Sequence, residues 1–566
     1  MKRYVTIDFL RGVAIFMMII LHMISHMLDI DSLINSLDTI PIINIVALVV
    51  LPYLGGLAGF FLMISAIGNM VSMQKHLQKG RSVKDLVFKQ VMGGILLLFF
   101  AMLTEGSIGY LGAIGNFFKN LDDLSMVKWS IALYRWNHFE TIHTIAWCVI
   151  INGIVQGILS RNDQWKNIKR QVITYAVLAV IVVVLTQPIW DLVATLVPGY
   201  PWKIVDGEQI YTPVLGQASF WEIIRAPFLT PLAASIEPIF PYLAISFVGS
   251  IIGLKLSQPK EEIDKSFPKK MMFGGLITWI IGSIGVVVVI ITVMDSEGID
   301  TALNLYKDIS FHRHWAPDKN SYVPVLAWVW QFLTLNGFGL MGIMLMFRLV
   351  EFRGRSEQFA KKTTFIRRFG FVAFTNYAYQ WIYWIVWYLF TIAIGLPPYS
   401  RLNWGLMAIM LLLGLGVYHI ILRLWEKARY IGSIEWCIAS IAYTMIPLKR
   451  KSKGTGDKWY ERGALDVDGA FYNPEWVDIV PEEEIPHDQL KESKMAFKLS
   501  LISLLSLIFF PAGIITFGLA RSAKQSEGDN KYNKIALIIS IICIMLVIAF
   551  LVFTAMFTLS DLGLSL

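Results

Sequence analysis

The segment RYVTIDFLRGVAIFMMIILHMISH, residues 3–26, decides the class of this chain. It is apolar for about twenty residues, the length of helix that crosses a hydrocarbon core of about 30 Å. No small-residue cleavage site ends the run, so it reads as a retained first span and not as a removed signal peptide. Yet it carries Asp8, Arg11, His22 and His26. Ionisable groups are costly inside a bilayer and mark functional sites by default. On a helix, residues eleven positions apart return to within about 20° of one face and stand about 16 Å apart along the axis. Arg11 and His22 have that spacing. Arg11 then falls near one mouth of the span and His22 beyond mid-membrane. The pair suits a long ligand with an anionic head and a reactive far end, which is the form of an acyl-CoA. Plainer roles compete. Arg11 can snorkel to lipid phosphates while Asp8 pairs with it at i,i+3, and His22 can be a packed, hydrogen-bonded residue. His26, one turn further, belongs either to the site or to the interface.

The same pattern recurs along the 566-residue chain, which is 56% hydrophobic and 16% charged with mean hydropathy +0.59. Soluble domains are about a quarter charged. Ten spans are expected near 7–27, 50–73, 90–105, 139–160, 172–196, 234–256, 272–294, 323–348, 371–395 and 403–425. An eleventh apolar segment, 431–447, contains Glu435 and is either interfacial or spanning. The fold class is therefore all-α, a polytopic transmembrane bundle. Loops 74–90, 161–170, 255–270 and 348–368 are rich in Lys and Arg, whereas 28–41 has neither. The positive-inside bias places the N-terminus and the basic loops in the cytoplasm. It also accounts for the net charge of +8 without a nucleic-acid partner. Loops 106–137, 197–233 and 295–322 then face outward, and their Trp, Tyr and Pro content suits a substrate vestibule. Cys148, Cys437 and Cys543 lie in apolar segments without CxxC spacing, so they give neither a disulfide framework nor a zinc site.

Residues 1–447 make up the main membrane domain, 448–494 a polar linker or small insert, and 495–566 a two-span module. The module consists of apolar runs near 497–519 and 535–558, expected as a helical hairpin. Its orientation stays open, because the KRKSK run (449–453) and the hairpin loop both favour the cytoplasmic side.

Other polar residues are candidates of lesser weight. Glu140 and His143 open the fourth span three residues apart, as a second polar wall or an interfacial pair. Thr375, Asn376 and Gln380 can bind substrate or join helices. Glu237 precedes two prolines and can line a broken-helix cavity. His312, Arg313 and His314 sit in an outer loop and can meet an anionic substrate, but a third metal ligand is missing. Asp466 and Asp468 in LDVDG lack the remaining positions of a calcium loop. No metal is expected. No phosphate-cradling GxxxxGK[ST] occurs, which argues against an ATP-driven pump.

The opening stretch resembles the start of the transmembrane acyltransferase superfamily. That group includes the heparan-alpha-glucosaminide N-acetyltransferase catalytic domain, its bacterial relatives (domain of unknown function 1624) and O-acyltransferases that share an Arg, ten residues, then His. Arg11 and His22 match that spacing. GFFLMISAIGNMVSMQKHLQKGR (59–81) resembles the family's second span with its basic loop. TIHTIAWCVI (141–150) resembles its Leu-His signature and puts His143 on the motif. PIFPYLAISFVGSIIG (238–253) resembles its Phe-Pro-Trp segment, with Tyr242 in place of Trp. FTNYAYQ (374–380) and GSIEW (432–436) resemble a sister bacterial family, domain of unknown function 418. The resemblance implies acyl transfer from acyl-CoA, chiefly acetyl-CoA as co-substrate, to an amino sugar or glycan hydroxyl. It implies a prokaryotic plasma-membrane setting among lipids, with a homodimer allowed for. Arg11, with Asp8, would hold the coenzyme. The catalytic histidine would be His22, with His26 and His143 as the other candidates. Some lysosomal members carry Asn at the His22 position and a later His, which leaves that choice open. Glu140, Glu237, Asn376 and Gln380 would face the acceptor. A transporter or lipid-carrier flippase without acyl chemistry is the rival reading, supported by the Gly/Pro-broken spans. A membrane sensor resting on the C-terminal module is a third.

Overall fold

The computed structural model describes residues 3–29, 53, 55–196, 202–205, 208–211, 213, 218–234, 237–298, 327–445, 463–481, 488–505 and 510–561. His312, Arg313 and His314 lie outside them. Among the described residues, nine helices are long and apolar enough to cross a membrane. These are α1 (Val5–Met27), α2 (Leu57–Gln78), α3 (Val83–Leu103), α6 (Thr141–Leu159), α7 (Ile168–Leu196), α9 (Ile239–Leu256), α10 (Phe267–Glu297), α11 (Ala327–Leu349) and α16 (Trp404–Lys427). The short helices α4 (Ala113–Lys119), α5 (Ile131–Arg135) and α8 (Phe220–Leu229) fill the connections. The chain is a multi-pass, all-α membrane protein. The lipid-facing sides show it directly: Val180 and Val184 on α7 and Ile284 on α10 are 63%, 68% and 60% exposed. A helix that turns large aliphatic residues outward needs an apolar solvent.

Two local differences from the sequence reading have physical causes. The ninth expected span is broken into α14 (Ala373–Ala378), a 3₁₀ turn at Tyr379–Trp381 and α15 (Ile382–Ala393). Asn376 Nδ2 donates to Phe369 O at 3.0 Å and Gln380 Nε2 to Tyr377 O at 3.1 Å. These side chains engage carbonyls near the break and so offer the backbone an alternative to a continuous helical ladder. The segment 197–233 holds two short strands, Trp202–Val205 paired antiparallel with Glu208–Tyr211, Trp202 opposite Tyr211. The sequence between the two strands is Asp-Gly, a dipeptide common in short β connections.

The chain divides into two compact units. The first comprises Met1–Ile19, Gly55–Ile385 and Tyr418–Ile479. In it, Tyr4 OH donates to Leu256 O at 2.5 Å, Gln78 Nε2 to Ser257 O at 2.9 Å and Thr6 N to Glu351 Oε1 at 2.9 Å. The start of α1 therefore meets the ends of α2, α9 and α11, and the basic connections after these three helices gather at that end. A buried amide ladder joins α2, α6 and α7: Gln74 and Gln156 both donate to Gln171 Oε1, and Tyr175 OH donates to Gln156. Each side chain makes at least one of these bonds, which is how polar groups are tolerated inside a bundle, although Gln74 Oε1 has no partner among the described residues. Helices α10 and α11 approach closely, since a Cβ on Gly282 would lie 2.4 Å from Thr334 N.

The second unit comprises Ile20–Leu54, Val386–Val417 and Val480–Leu566. Here Leu402 N donates to Met27 O at 2.7 Å, and Met23 packs on Gly414. The tail forms three helices, α18 (Lys491–Leu505), α19 (Phe510–Glu527) and α20 (Lys531–Asp561). The first apolar run of the expected hairpin thus falls on α18 and α19, with Pro511 at the start of the latter. Ala496, Ala520 and Ala536 form their contact, and Glu527 accepts from the N–H groups of Glu492 and Ser493.

Candidate active site

Helix α1 runs unbroken from Val5 to Met27 and carries Asp8, Arg11, His22 and His26. Its N-terminus is fixed by Glu351, which accepts from Thr6 N and, at 2.6 Å, from Thr6 Oγ1. A carboxylate at a helix N-terminus also meets the positive end of the dipole. Asp8 faces Arg3 at 4.0 Å, so its ion partner is not Arg11. Arg11 is half-buried and makes no hydrogen bond or ion pair with any described residue. Its guanidinium lies against α2, where a Cβ on Gly68 would be 3.5 Å from Nη2. His22 and His26, both half-buried, belong to the second unit, with ring centroids 6.5 Å apart.

A second polar cluster stands at the opposite end of the first unit from the α1 N-terminus. Helix α3 passes into a π turn at Thr104–Ile108, which carries Glu105, 3% exposed. Glu105 Oε1 accepts from Tyr377 OH at 2.8 Å and Oε2 from Arg135 Nη2 at 3.4 Å. His138 Nε2 is 2.7 Å from Glu140 Oε1. Glu140 is the N-cap of α6, and its N–H donates to His143 Nδ1 at 3.2 Å. His143 is buried, and its Nε2 has no partner among the described residues. Thr141 Oγ1 donates to the Glu237 carboxylate and Thr144 Oγ1 to the Glu237 carbonyl. Glu237 itself has φ +40°, uncommon for a residue with a side chain.

The structure therefore gathers Glu140, His143 and Glu237 into one cluster. Sequence reasoning missed Glu105, Arg135, His138 and Tyr377. The rule that ionisable residues in a span are functional candidates would have reached Glu105. Thr375, Asn376 and Gln380 lie elsewhere in helix contacts. Thr375 Oγ1 donates to Glu435 Oε2 at 2.5 Å, and Phe374 N donates to Glu435 Oε1 at 2.7 Å, so Glu435 ties α17 (Ile434–Met445) to α14.

One oxygen each of Glu105 and Glu140 and one nitrogen of His138 lie within 4.8 Å of one another. Two carboxylates and an imidazole are a donor set for a divalent transition metal. Arg135 on Glu105 competes for that role, since its guanidinium already lies 3.4 Å from Glu105 Oε2. A separate small cleft lies between α2, α3, α6 and α9, lined by Asn69, Gln90, Asn152, Ser246 and Ser250 among others. Asn152 and Ser250 hydrogen-bond across it at 3.1 Å, and none of the sequence-predicted site residues lines it.

Residues 3–114 match the family model described as heparan-alpha-glucosaminide N-acetyltransferase, catalytic. No curated protein and no solved structure matches the chain. The matched stretch holds α1, α2 and α3, including Arg11, His22 and Glu105. Over that segment this multi-pass membrane protein is similar to the catalytic domain of heparan-alpha-glucosaminide N-acetyltransferase.

Proposed function

We propose that the protein transfers an acyl group, in the first instance acetyl, from cytoplasmic acyl-CoA to an extracytoplasmic amino sugar or glycan hydroxyl. One observation carries the reading. Helix α1, inside the family-matched segment, bears a half-buried Arg11 without an anionic partner among the described residues, and the eleven-residue spacing from Arg11 to His22 is that of one helical face. Arg11 would bind a coenzyme phosphate by charge-assisted hydrogen bonds. His22 would remove the proton from the acceptor N–H or O–H as that atom attacks the thioester carbon. The C–S bond then breaks, and the thiolate recovers the proton from His22.

The test supplies labelled acetyl-CoA and glucosamine to the purified protein. His22→Ala is expected to lower transfer by about 10²–10⁴-fold, the usual contribution of a general base. Wild-type-like transfer by that variant would overturn the assignment, and no transfer by the wild type would favour the transporter reading. Arg11→Gln is expected to raise the acyl-CoA KM by about 10–100-fold with a smaller change in kcat, as loss of uniform binding does.

A further inference from the structure

Residues 463–479 lie across the end of the first unit that holds the α1 N-terminus, and beneath them is a cation without an ion-pair partner among the described residues. Arg367, on α13 (Thr364–Phe371), is 3% exposed. Its Nη1 donates to Ala360 O at 3.2 Å and its Nη2 to Ala470 O, while Nε has no partner among the described residues. The guanidinium carbon lies 4.6 Å from the Trp476 ring centroid and 5.3 Å from that of Phe471. No carboxylate of the described residues forms an ion pair with it. The surrounding arginines are matched: Arg3 with Asp466 at 3.3 Å, Arg429 with Asp468 at 3.7 Å, and Arg368 with Glu426. Burial holds the Arg367 pKa below the ordinary arginine value; Asp8 opposes this, and Arg3 and Arg368 add to it.

Carbonyls and aromatic faces compensate a buried charge only in part, and an unpaired one is strongly unfavourable. An anion received at this site would supply the missing charge. The covering segment is held differently in its two halves. Its second half is pinned by backbone bonds, Arg3 N to Glu475 O at 2.8 Å, Val477 N to Arg3 O at 2.9 Å and Ile479 N to Glu351 O at 2.8 Å. Its first half, Asp466–Tyr472, is held largely by side chains: the Asp466 and Asp468 ion pairs and Tyr472 OH to Glu426 at 2.6 Å. Those acids occupy the outer arginines and leave the inner one unmatched.

We propose that Arg367 is the buried half of a phosphate-binding site, with residues 466–472 as its lid. The ligand is a phosphate group, free, on a soluble nucleoside phosphate or on a lipid head. Arg3 and Arg429 would be released to it as Asp466 and Asp468 withdraw. This site does not depend on the acyl-transfer reading, so His22→Ala retains it.

The experiment uses the full chain in detergent or nanodiscs. The probes are inorganic phosphate, adenosine 3′,5′-bisphosphate, and bilayers of phosphatidic acid against phosphatidylcholine. Calorimetry reads binding of the soluble probes, and amide exchange of residues 466–472 reads the lid. At least one phosphate probe is expected to speed that exchange. Arg367→Gln is expected to weaken the effective probe by about tenfold or more, with thermal stability unchanged or raised, since an unpaired buried charge is removed. A response to soluble phosphates assigns a soluble ligand; one confined to phosphatidic acid assigns a lipid. The proposal is overturned if no probe acts at millimolar concentration. It is equally overturned if Arg367→Gln lowers the melting temperature and leaves binding intact, the signature of a structural arginine.

Discussion

Gly12→Val is expected to destabilise the protein by about 3 kcal/mol, the upper end for overpacking. A Cβ at Gly12 would stand 2.1 Å from Ile366 O, and one at Gly370 would stand 2.4 Å from Gly12 N. Both obstructions are backbone, so no rotamer change relieves them. Nor can α1 slide away. Its first turn is tied to Glu351 through Thr6, and Tyr4 is tied to Leu256 O. Small residues that let membrane helices touch backbone to backbone are the ordinary basis of such contacts. The measurement is thermal unfolding in detergent, with Gly12→Ala expected between wild type and Gly12→Val. A Val variant that melts with the wild type would show that the α1–α13 contact gives way freely. Arg11 is adjacent in sequence, so loss of this contact would also shift its head from Gly68.

The spans were legible because their signal is local: a run of apolar residues needs only its length. Arg11, His22 and His26 stood out for the same reason, as charges where hydrocarbon is expected. Glu140 and His143 were legible as an i,i+3 pair, and the structure uses that spacing to cap α6. Glu105 was overlooked because the expected third span ended on it, and a π turn has no mark in periodicity. Its partners come from Arg135 and Tyr377, the latter 272 residues away in sequence. The covering segment 463–479 was equally illegible. It reads as a polar linker, and its order comes from the distant backbone of Arg3 and Glu351. The break in α14 was half visible: Thr375, Asn376 and Gln380 were noted, but whether they face a ligand or a carbonyl is a tertiary outcome.

Glu105→Leu is expected to cost about 3–5 kcal/mol, because it removes one member of a buried pair and strands the other. Glu105 is 3% exposed, and it receives both Arg135 and Tyr377 OH. Leucine fills the volume but answers neither donor, and Arg135 remains a guanidinium at any accessible pH. Glu105→Gln keeps an acceptor for Tyr377 and should cost less. Arg135→Met alone leaves Glu105 beside Glu140, and two carboxylates at that range resist a shared negative charge. The double variant Glu105→Leu/Arg135→Met should recover most of the loss, since replacing a whole buried pair by apolar groups is often neutral. Unfolding midpoints of the four proteins close the cycle; equal, additive losses would show that the two side chains do not act together. The same variants discriminate the metal alternative. A divalent ion on Glu105, His138 and Glu140 would be repelled by Arg135, so Arg135→Met would then stabilise the protein in the presence of zinc or manganese and a chelator would reverse it. The Arg135 Nη2 contact to Glu105 Oε2 at 3.4 Å favours the opposite result: Arg135→Met destabilises, and a chelator has no effect.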